Sequence, residues 1–177
     1  MNKEENAAGV GEQHEMSADR TGDVAARQEN LSGRKREMSL VNTSVLAYIG
    51  DAVYETYVRR HVFHQGILRP DRLHSAAVKY VRAEGQAAAF EKLWDELTPD
   101  EQAVGRRGRN HKITSMPHNV DPKTYKTATA FEALVGYLNL SGDQERERYI
   151  IDRTFDIIEN SEITMKRGTS GTKGKRG

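Results

Sequence analysis

The apolar positions of this chain are concentrated in its middle, where they recur every three or four residues. Leu46, Ile49, Val53 and Tyr57 share one face, so 43–64 reads as an apolar-faced helix that Gly66 ends. Pro70 opens a second segment with Leu73, Ala76, Ala77, Tyr80 and Val81 on one side, and Ala87, Phe90, Leu93, Trp94 and Leu97 form a third. In TPDE, Thr98 is an N-cap candidate, Pro99 sits at the first helical position and Glu101 completes a capping box. The helix it opens runs toward Arg109. Residues 110–121 have no helical period, include Pro117 and read as a loop. Asp121-Pro122 repeats the cap-then-proline signal, and Tyr125, Ala128, Phe131, Leu134, Val135 and Leu138 line a strongly apolar helix. After the turn SGDQ, Ile150, Ile151, Phe155 and Ile158 make a last helix ending near Asn160. No run of strand character interrupts this pattern. It predicts an all-α domain of about six helices.

The two ends differ from the middle. Residues 1–36 mix charges and lack an apolar period, so too little apolar area is available to offset ordering entropy. They are expected to be a disordered N-terminal extension. Residues 161–177 are glycine-rich and basic and read as a flexible tail. The domain is therefore expected over 37–160. No internal repeat is present.

Composition narrows the classes. The chain has 177 residues, 36% hydrophobic and 30% charged, enough for one core of ordinary size. It has no cysteine, which excludes disulfides and thiolate metal sites and suits a reducing compartment. The start, MNKEENAAGVGEQHEMSADR, lacks the apolar core of a signal peptide, and no stretch approaches the ~18 apolar residues of a membrane span. A cytoplasmic protein is expected. The net charge of +1 says little about partners, but its distribution says more. Within an otherwise acidic body, residues 105–126 hold Arg106, Arg107, Arg109, Lys112, Lys123 and Lys126 against Asp121 alone. Such a stretch attracts a polyanion locally.

Two acids sit in unusual company. Asp51 follows Gly50 in the middle of an apolar helix, and Glu132 is the only charged residue between Lys126 and Asp143. A lone carboxylate on such a helix is costly to bury unless it is paired, hydrogen-bonded or bound to a metal. Two carboxylates from different helices could meet and hold a Mg²⁺, which takes hard oxygen ligands. Each acid could equally cap a turn or pair with an arginine, and Gly50 could serve only close helix packing. Glu55 is a rival ligand, since its i,i+4 spacing puts it on the face of Asp51.

The identities in order favour the first reading. LAYIGDAVYETYVRRHV resembles the signature helix of the ribonuclease III family, and RRGRN followed by TYKTATAFEALVGYLNL resembles the later part of the same catalytic domain. The likeness covers about 38–160 and is strongest to the mini-ribonuclease III subgroup, which has the catalytic domain without a separate double-stranded-RNA-binding domain. It implies a ribonuclease III-like helical fold and a homodimeric, Mg²⁺-dependent endoribonuclease that cuts double-stranded RNA, leaving 5′-phosphate and 3′-hydroxyl ends. It places the catalytic, metal-binding aspartate on Asp51 and the catalytic, metal-binding glutamate on Glu132. It implies precursor 23S ribosomal RNA as substrate and leaves room for a ribosomal protein there as a further partner. Larger members carry two more glutamates where this chain has Ser44 and Ala47, and an aspartate where it has Thr129. The site thus keeps the family geometry with fewer carboxylates, which implies weaker metal binding with more water ligands.

A-form RNA is read largely through phosphates and 2′-hydroxyls, so cations near the acids suffice for binding. Arg106, Arg107, Arg109, Lys112, Lys123 and Lys126 are the expected RNA contacts, although an arginine at a helix C-terminus also complements the helix dipole. His111 and His118 lack metal-ligand spacing and are read as phosphate contacts, His61 and His64 as helix-end residues. Tyr48, Tyr54, Tyr57 and Val58 widen the apolar face of the first helix, which suits either a dimer contact or a helix wholly buried in one chain. The alternative function is a non-catalytic RNA-binding or ribosome-assembly scaffold on the same fold.

Overall fold

The computed structural model of the protein describes residues 12–112, 118 and 120–170, with side chains from 22 to 161 within that range. Among them are seven α-helices and no strand: α1 (Glu12–Ser39), α2 (Thr43–His64), α3 (Pro70–Val81), α4 (Ala83–Leu93), α5 (Pro99–Asn110), α6 (Pro122–Ser141) and α7 (Gln144–Ser170). A single 3₁₀ turn, Trp94–Glu96, joins α4 to the cap of α5. The all-α expectation holds.

The signals at the helix ends act as their chemistry dictates. Thr98 accepts from the backbone N–H of Glu101 while the Glu101 carboxylate accepts from that of Thr98, a complete capping box. The Asp121 carboxylate caps α6 through the N–H of Thr124, with Pro122 in the first turn. Gly142 closes α6 at φ 78°, a left-handed conformation that glycine adopts without a Cβ penalty.

Helix α6 is the hub, with α1, α2, α4, α5 and α7 all packed on it. Ala130, Phe131, Ala133, Leu134, Val135 and Leu138 are fully buried, and Tyr54 of α2 meets Phe131 edge-on at 4.9 Å. Each large side chain so enclosed stabilises the fold by roughly 1.5–3 kcal/mol. A polar clamp joins α7 to α5: Arg146 of α7 donates to both oxygens of Glu101 at 2.8 Å and to the Glu96 carbonyl at 2.7 Å. Burial alone would raise the pKa of Glu101. The Arg146 bonds and charge, with the Thr98 N–H, outweigh it and hold the carboxyl below the usual range.

Two elements run further than the apolar pattern indicates. Helix α1 occupies 12–39, most of it in the stretch 1–36 where disorder is expected, and its residues 22–30 are all exposed. An apolar stripe is not required for helicity there, because Ala, Gln, Glu and Arg are good intrinsic helix formers. Its C-terminal end is docked by Met38, packed against the core, and by polar contacts: Lys35 pairs with Asp143 at 2.5 Å, and Arg107 of α5 donates to the Ser39 carbonyl. Helix α7 continues past Asn160 to Ser170, and the rest of the expected tail, 171–177, lies outside the described residues, as do 1–11. No described helix is long and apolar enough to cross a membrane.

Candidate active site

The site is created by a contact between two backbones. Where α2 crosses α6, Gly50 and Gly136 face each other. A Cβ on Gly50 would fall 1.8 Å from the Glu132 carbonyl oxygen, and one on Gly136 would fall 2.0 Å from that of Leu46. Only glycine permits this approach. Asp51 follows Gly50 and Glu132 lies one turn before Gly136, so the crossing that demands glycine also brings the two carboxylates to one cleft. Close packing and function, alternatives in the sequence, are here the same feature.

The cleft has a volume of about 370 Å³. Helix α2 contributes Ser44, Ala47, Tyr48 and Asp51; α6 contributes Tyr125, Lys126, Thr129 and Glu132; the end of α5 adds Gly108, His111 and Lys112. Ser44, Ala47 and Thr129 therefore line the cleft beside the two carboxylates. Gly108 allows α5 to lie close on α6, since a Cβ there would meet the Ala130 Cα at 2.5 Å.

The two acids are electrostatically strained. Burial pushes the Glu132 carboxyl up to about 8, and the Asp51 charge adds to the rise. The nearby Gln86 side chain opposes it weakly. Burial also raises Asp51, with the Glu55 charge a second cause. Glu55 itself pairs with Arg59 and does not line the cleft, so it is no rival to Asp51 as a ligand in this geometry. Among the described residues no group of three or more histidine or acidic side chains could hold a metal. The donor set of the cleft is two carboxylates that repel each other, one of them half-buried. A divalent cation fits that set because it removes the repulsion and accepts hard oxygen ligands.

The basic residues divide by position. Lys112 and Lys126 line the cleft. Arg109, Lys123 and, again, Lys126 line an adjoining hollow of about 700 Å³ with Trp94, Glu91 and Asp95. The Arg109 guanidinium lies 4.4 Å from the Trp94 ring centre and 5.1 Å from that of Phe90, which fixes it in place. Arg106 and Arg107 are exposed and line neither space, and Arg107 is tied to the end of α1. His111 enters the cleft, its Nε2 2.7 Å from the Ser44 hydroxyl, whereas His118 is exposed and outside it. His61 packs away from the cleft, stacked on Phe155 at 4.3 Å and 2.8 Å from Glu159.

Sequence reasoning missed Gln86. Its only signal is a lone amide on the face of α4 that otherwise buries Ala87, Ala89, Phe90 and Leu93. The apolar width of α2 also has a plainer cause than a partner. Tyr54 and Val58 are fully buried in the chain's own core and Tyr57 packs against it, while Tyr48 is 78% exposed.

An all-helical domain with two facing carboxylates and adjoining lysines defines a class, and comparison with known proteins agrees. Residues 44–143 match the model of the ribonuclease III domain. A mini-ribonuclease 3 of Brevibacillus brevis is 45% identical over 124 residues, covering 70% of this chain and 92% of the relative. Another, from Symbiobacterium thermophilum, is 45% identical over 66% of this chain and 90% of its own length. That of Streptococcus pneumoniae is 37% identical over 70% and 98%. The crystal structure of a Fusobacterium nucleatum protein superposes with a TM-score of 0.61 at 26% identity, covering 66% of this chain and 93% of the other. The chain belongs to the ribonuclease III family, in its mini-ribonuclease III group, and is an endoribonuclease.

Proposed function

We propose that this endoribonuclease is Mg²⁺-dependent, cuts double-stranded RNA as a homodimer, and matures the paired ends of precursor 23S ribosomal RNA. The observation that carries the reading is the convergence of Asp51 and Glu132 on one cleft rimmed by Lys112 and Lys126. Asp51 and Glu132 would hold the metal through carboxylate oxygens. A bound Mg²⁺ supplies charge stabilisation at a phosphate and lowers the pKa of a coordinated water. Lys112 and Lys126 hold the phosphate backbone against the acids, whose own charge would otherwise repel it. Arg109 and Lys123 extend the cationic track into the adjoining hollow, and Arg106 and Arg107 add outer contacts. The exposed Val45 and Tyr48 on α2 give a second copy an apolar surface beside the cleft. The products are expected to carry 5′-phosphate and 3′-hydroxyl ends.

The test is cleavage of a short RNA duplex and of its separate strands, with Mg²⁺ and with chelator, over a range of salt. The duplex is expected to be cut with Mg²⁺ and the single strands spared. A Lys112→Ala, Lys126→Ala double variant should bind more weakly and lose about two units of the logarithmic salt slope, near one per phosphate contact. Replacing Arg106, Arg107 and Arg109 together should flatten the slope further. If the chain binds duplexes, precursor 23S ends included, and never cuts them, a non-catalytic scaffold replaces this reading.

A further inference from the structure

We propose that the hollow beside the cleft is a binding site for an unpaired nucleotide of the RNA substrate, its base stacked on the Trp94–Arg109 pair. The inference rests on the reading of the chain as a nuclease of double-stranded RNA.

The hollow, about 700 Å³ in volume, lies between α4, the end of α5 and the start of α6, and Glu91, Trp94, Asp95, Arg109, Lys123 and Lys126 are among its lining. Lys126 also lines the cleft of Asp51 and Glu132, so the two spaces meet at one side chain. Arg109 is held there by rings. Its guanidinium lies 4.4 Å from the Trp94 ring centre and 5.1 Å from that of Phe90, and its Nε is buried with no hydrogen-bond partner. Two carboxylates line the same hollow, yet among the described residues no ion pair joins Arg109 to either. A buried donor left unsatisfied costs stability, and a bond to Glu91 or Asp95 would remove both that cost and the charge. The rings instead fix the guanidinium plane and leave its charge in place. The platform is stiff, since Trp94 meets Phe90 edge-on at 5.8 Å and a Cβ on Gly105 would come 3.0 Å from the Trp94 ring.

The mixture of groups decides between ligands. A groove for phosphates alone needs cations, and Glu91 and Asp95 would weaken it. A stacking surface is of no use to a paired base, whose faces are covered by its neighbours in the duplex. Both features suit a nucleotide outside the duplex. Its base stacks on an aromatic ring or a guanidinium plane. Its free Watson–Crick edge carries N–H donors that a carboxylate accepts, while Lys123 and Lys126 take the flanking phosphates.

Trp94 is the only tryptophan of the chain, so its emission reports on the hollow directly. The full chain is titrated, in chelator to prevent cutting, with four RNAs. One is a blunt duplex, two carry a short adenosine extension at the 3′ or the 5′ ends, and the last carries an internal adenosine bulge. At least one of the three unpaired forms is expected to bind about tenfold more tightly than the blunt duplex, as one stacked base typically contributes, and to quench Trp94. The form that does so identifies where the nucleotide comes from. Arg109→Lys keeps the charge and removes the plane, so it should retain the salt slope and reduce the preference to within about twofold. The exposed pair Glu91→Gln, Asp95→Asn should tighten the blunt duplex more than the preferred form, because repulsion of phosphate and acceptance from the base are lost together. A preference of undiminished size in Arg109→Lys, or equal tightening of all four RNAs by the acid variants, overturns the proposal and leaves Arg109 a phosphate contact. The acid variants alone decide the matter if Arg109→Lys loses its helical circular dichroism. If the blunt duplex binds as well as every other form and Trp94 emission does not change, the hollow is no nucleotide site and the duplex reading stands. Binding of the unpaired forms without the blunt duplex overturns the duplex reading and keeps the hollow, and a chain that binds none of the four overturns both.

Discussion

Asp51→Asn is expected to lower duplex cleavage by about a thousandfold or more while making the metal-free protein more stable at alkaline pH. The loss follows from the metal's role. Stabilisation of developing charge by a bound divalent ion amounts to several kcal/mol, and each 1.4 kcal/mol is tenfold in rate. An amide at 51 keeps the shape of the cleft and removes half of its carboxylate charge. The gain follows from the state of Glu132. Its carboxyl is pushed up to about 8 by burial and then by Asp51, against an ordinary 4.5. Between those two values the folded chain keeps a proton that the unfolded chain has released, so stability of the metal-free form falls as pH rises. With Asn at 51 one cause of the shift is gone, and the fall becomes smaller. Thermal unfolding of parent and variant from pH 5 to 9 in chelator, beside cleavage with Mg²⁺, measures both effects. Mg²⁺ should restore the parent's stability at high pH and leave the variant's nearly unchanged. Retained cleavage in Asp51→Asn would remove this residue from the reaction, and a steeper alkaline loss in the variant would contradict the repulsion between the two acids. Glu132→Gln should behave likewise, with a flatter profile still, because the titrating group itself is gone.

The fold was legible from the sequence wherever local chemistry decides it. The bounds of α2, the capping box at Thr98 and the proline-opened start of α6 follow from apolar spacing and end signals, and they recur in the structure residue for residue. Helix α1 was not legible in this way. Its stretch has no apolar period, and what docks its end is Met38 packed on the core with two polar contacts, Lys35 with Asp143 and Arg107 with the Ser39 carbonyl, whose partners lie far along the chain. The site was legible in its acids, since a charge isolated in an apolar helix is visible by itself. It was not legible in Gln86 or in the tie between His111 and Ser44, because each depends on which helix faces which. The six cations illustrate the same limit. They are adjacent in sequence, but Lys112 and Lys126 line the cleft, Arg109 is held on Trp94, and Arg107 binds the end of α1. Proximity in the chain gave the group, and only packing assigned its members.

Gly50→Ala and Gly136→Ala are expected to cost more stability than any conservative surface change in the molecule. The added methyl has no flexible side chain to push aside. It meets backbone oxygen at 1.8 Å in the first case and 2.0 Å in the second, well inside contact distance. The remedy is to move α2 away from α6, and that is the central packing of the domain. Overpacking usually costs 1–3 kcal/mol, and an unyielding backbone contact belongs at or above the upper end, about 3 kcal/mol. That is a large share of an ordinary stability of about 5–15 kcal/mol and lowers the melting temperature by roughly 10 °C for a chain of this size. Gly33→Ala supplies the control. It lies in α1 with no neighbour within 4 Å of the new methyl, so helix propensity alone should make it neutral or up to about 1 kcal/mol more stable. Because Asp51 and Glu132 adjoin the crossing, cleavage should fall in the two crossing variants even at temperatures where they are folded. A shift near 1 Å between reacting groups costs about a hundredfold. Melting temperatures of both variants within about 2 °C of the parent would mean that α2 and α6 are less tightly apposed than the glycines indicate. A folded variant with full activity would mean that the spacing of the two acids is not set by this contact. The expected result, loss of both together, would place the cause of the active site in the absence of two methyl groups as much as in the presence of two carboxylates.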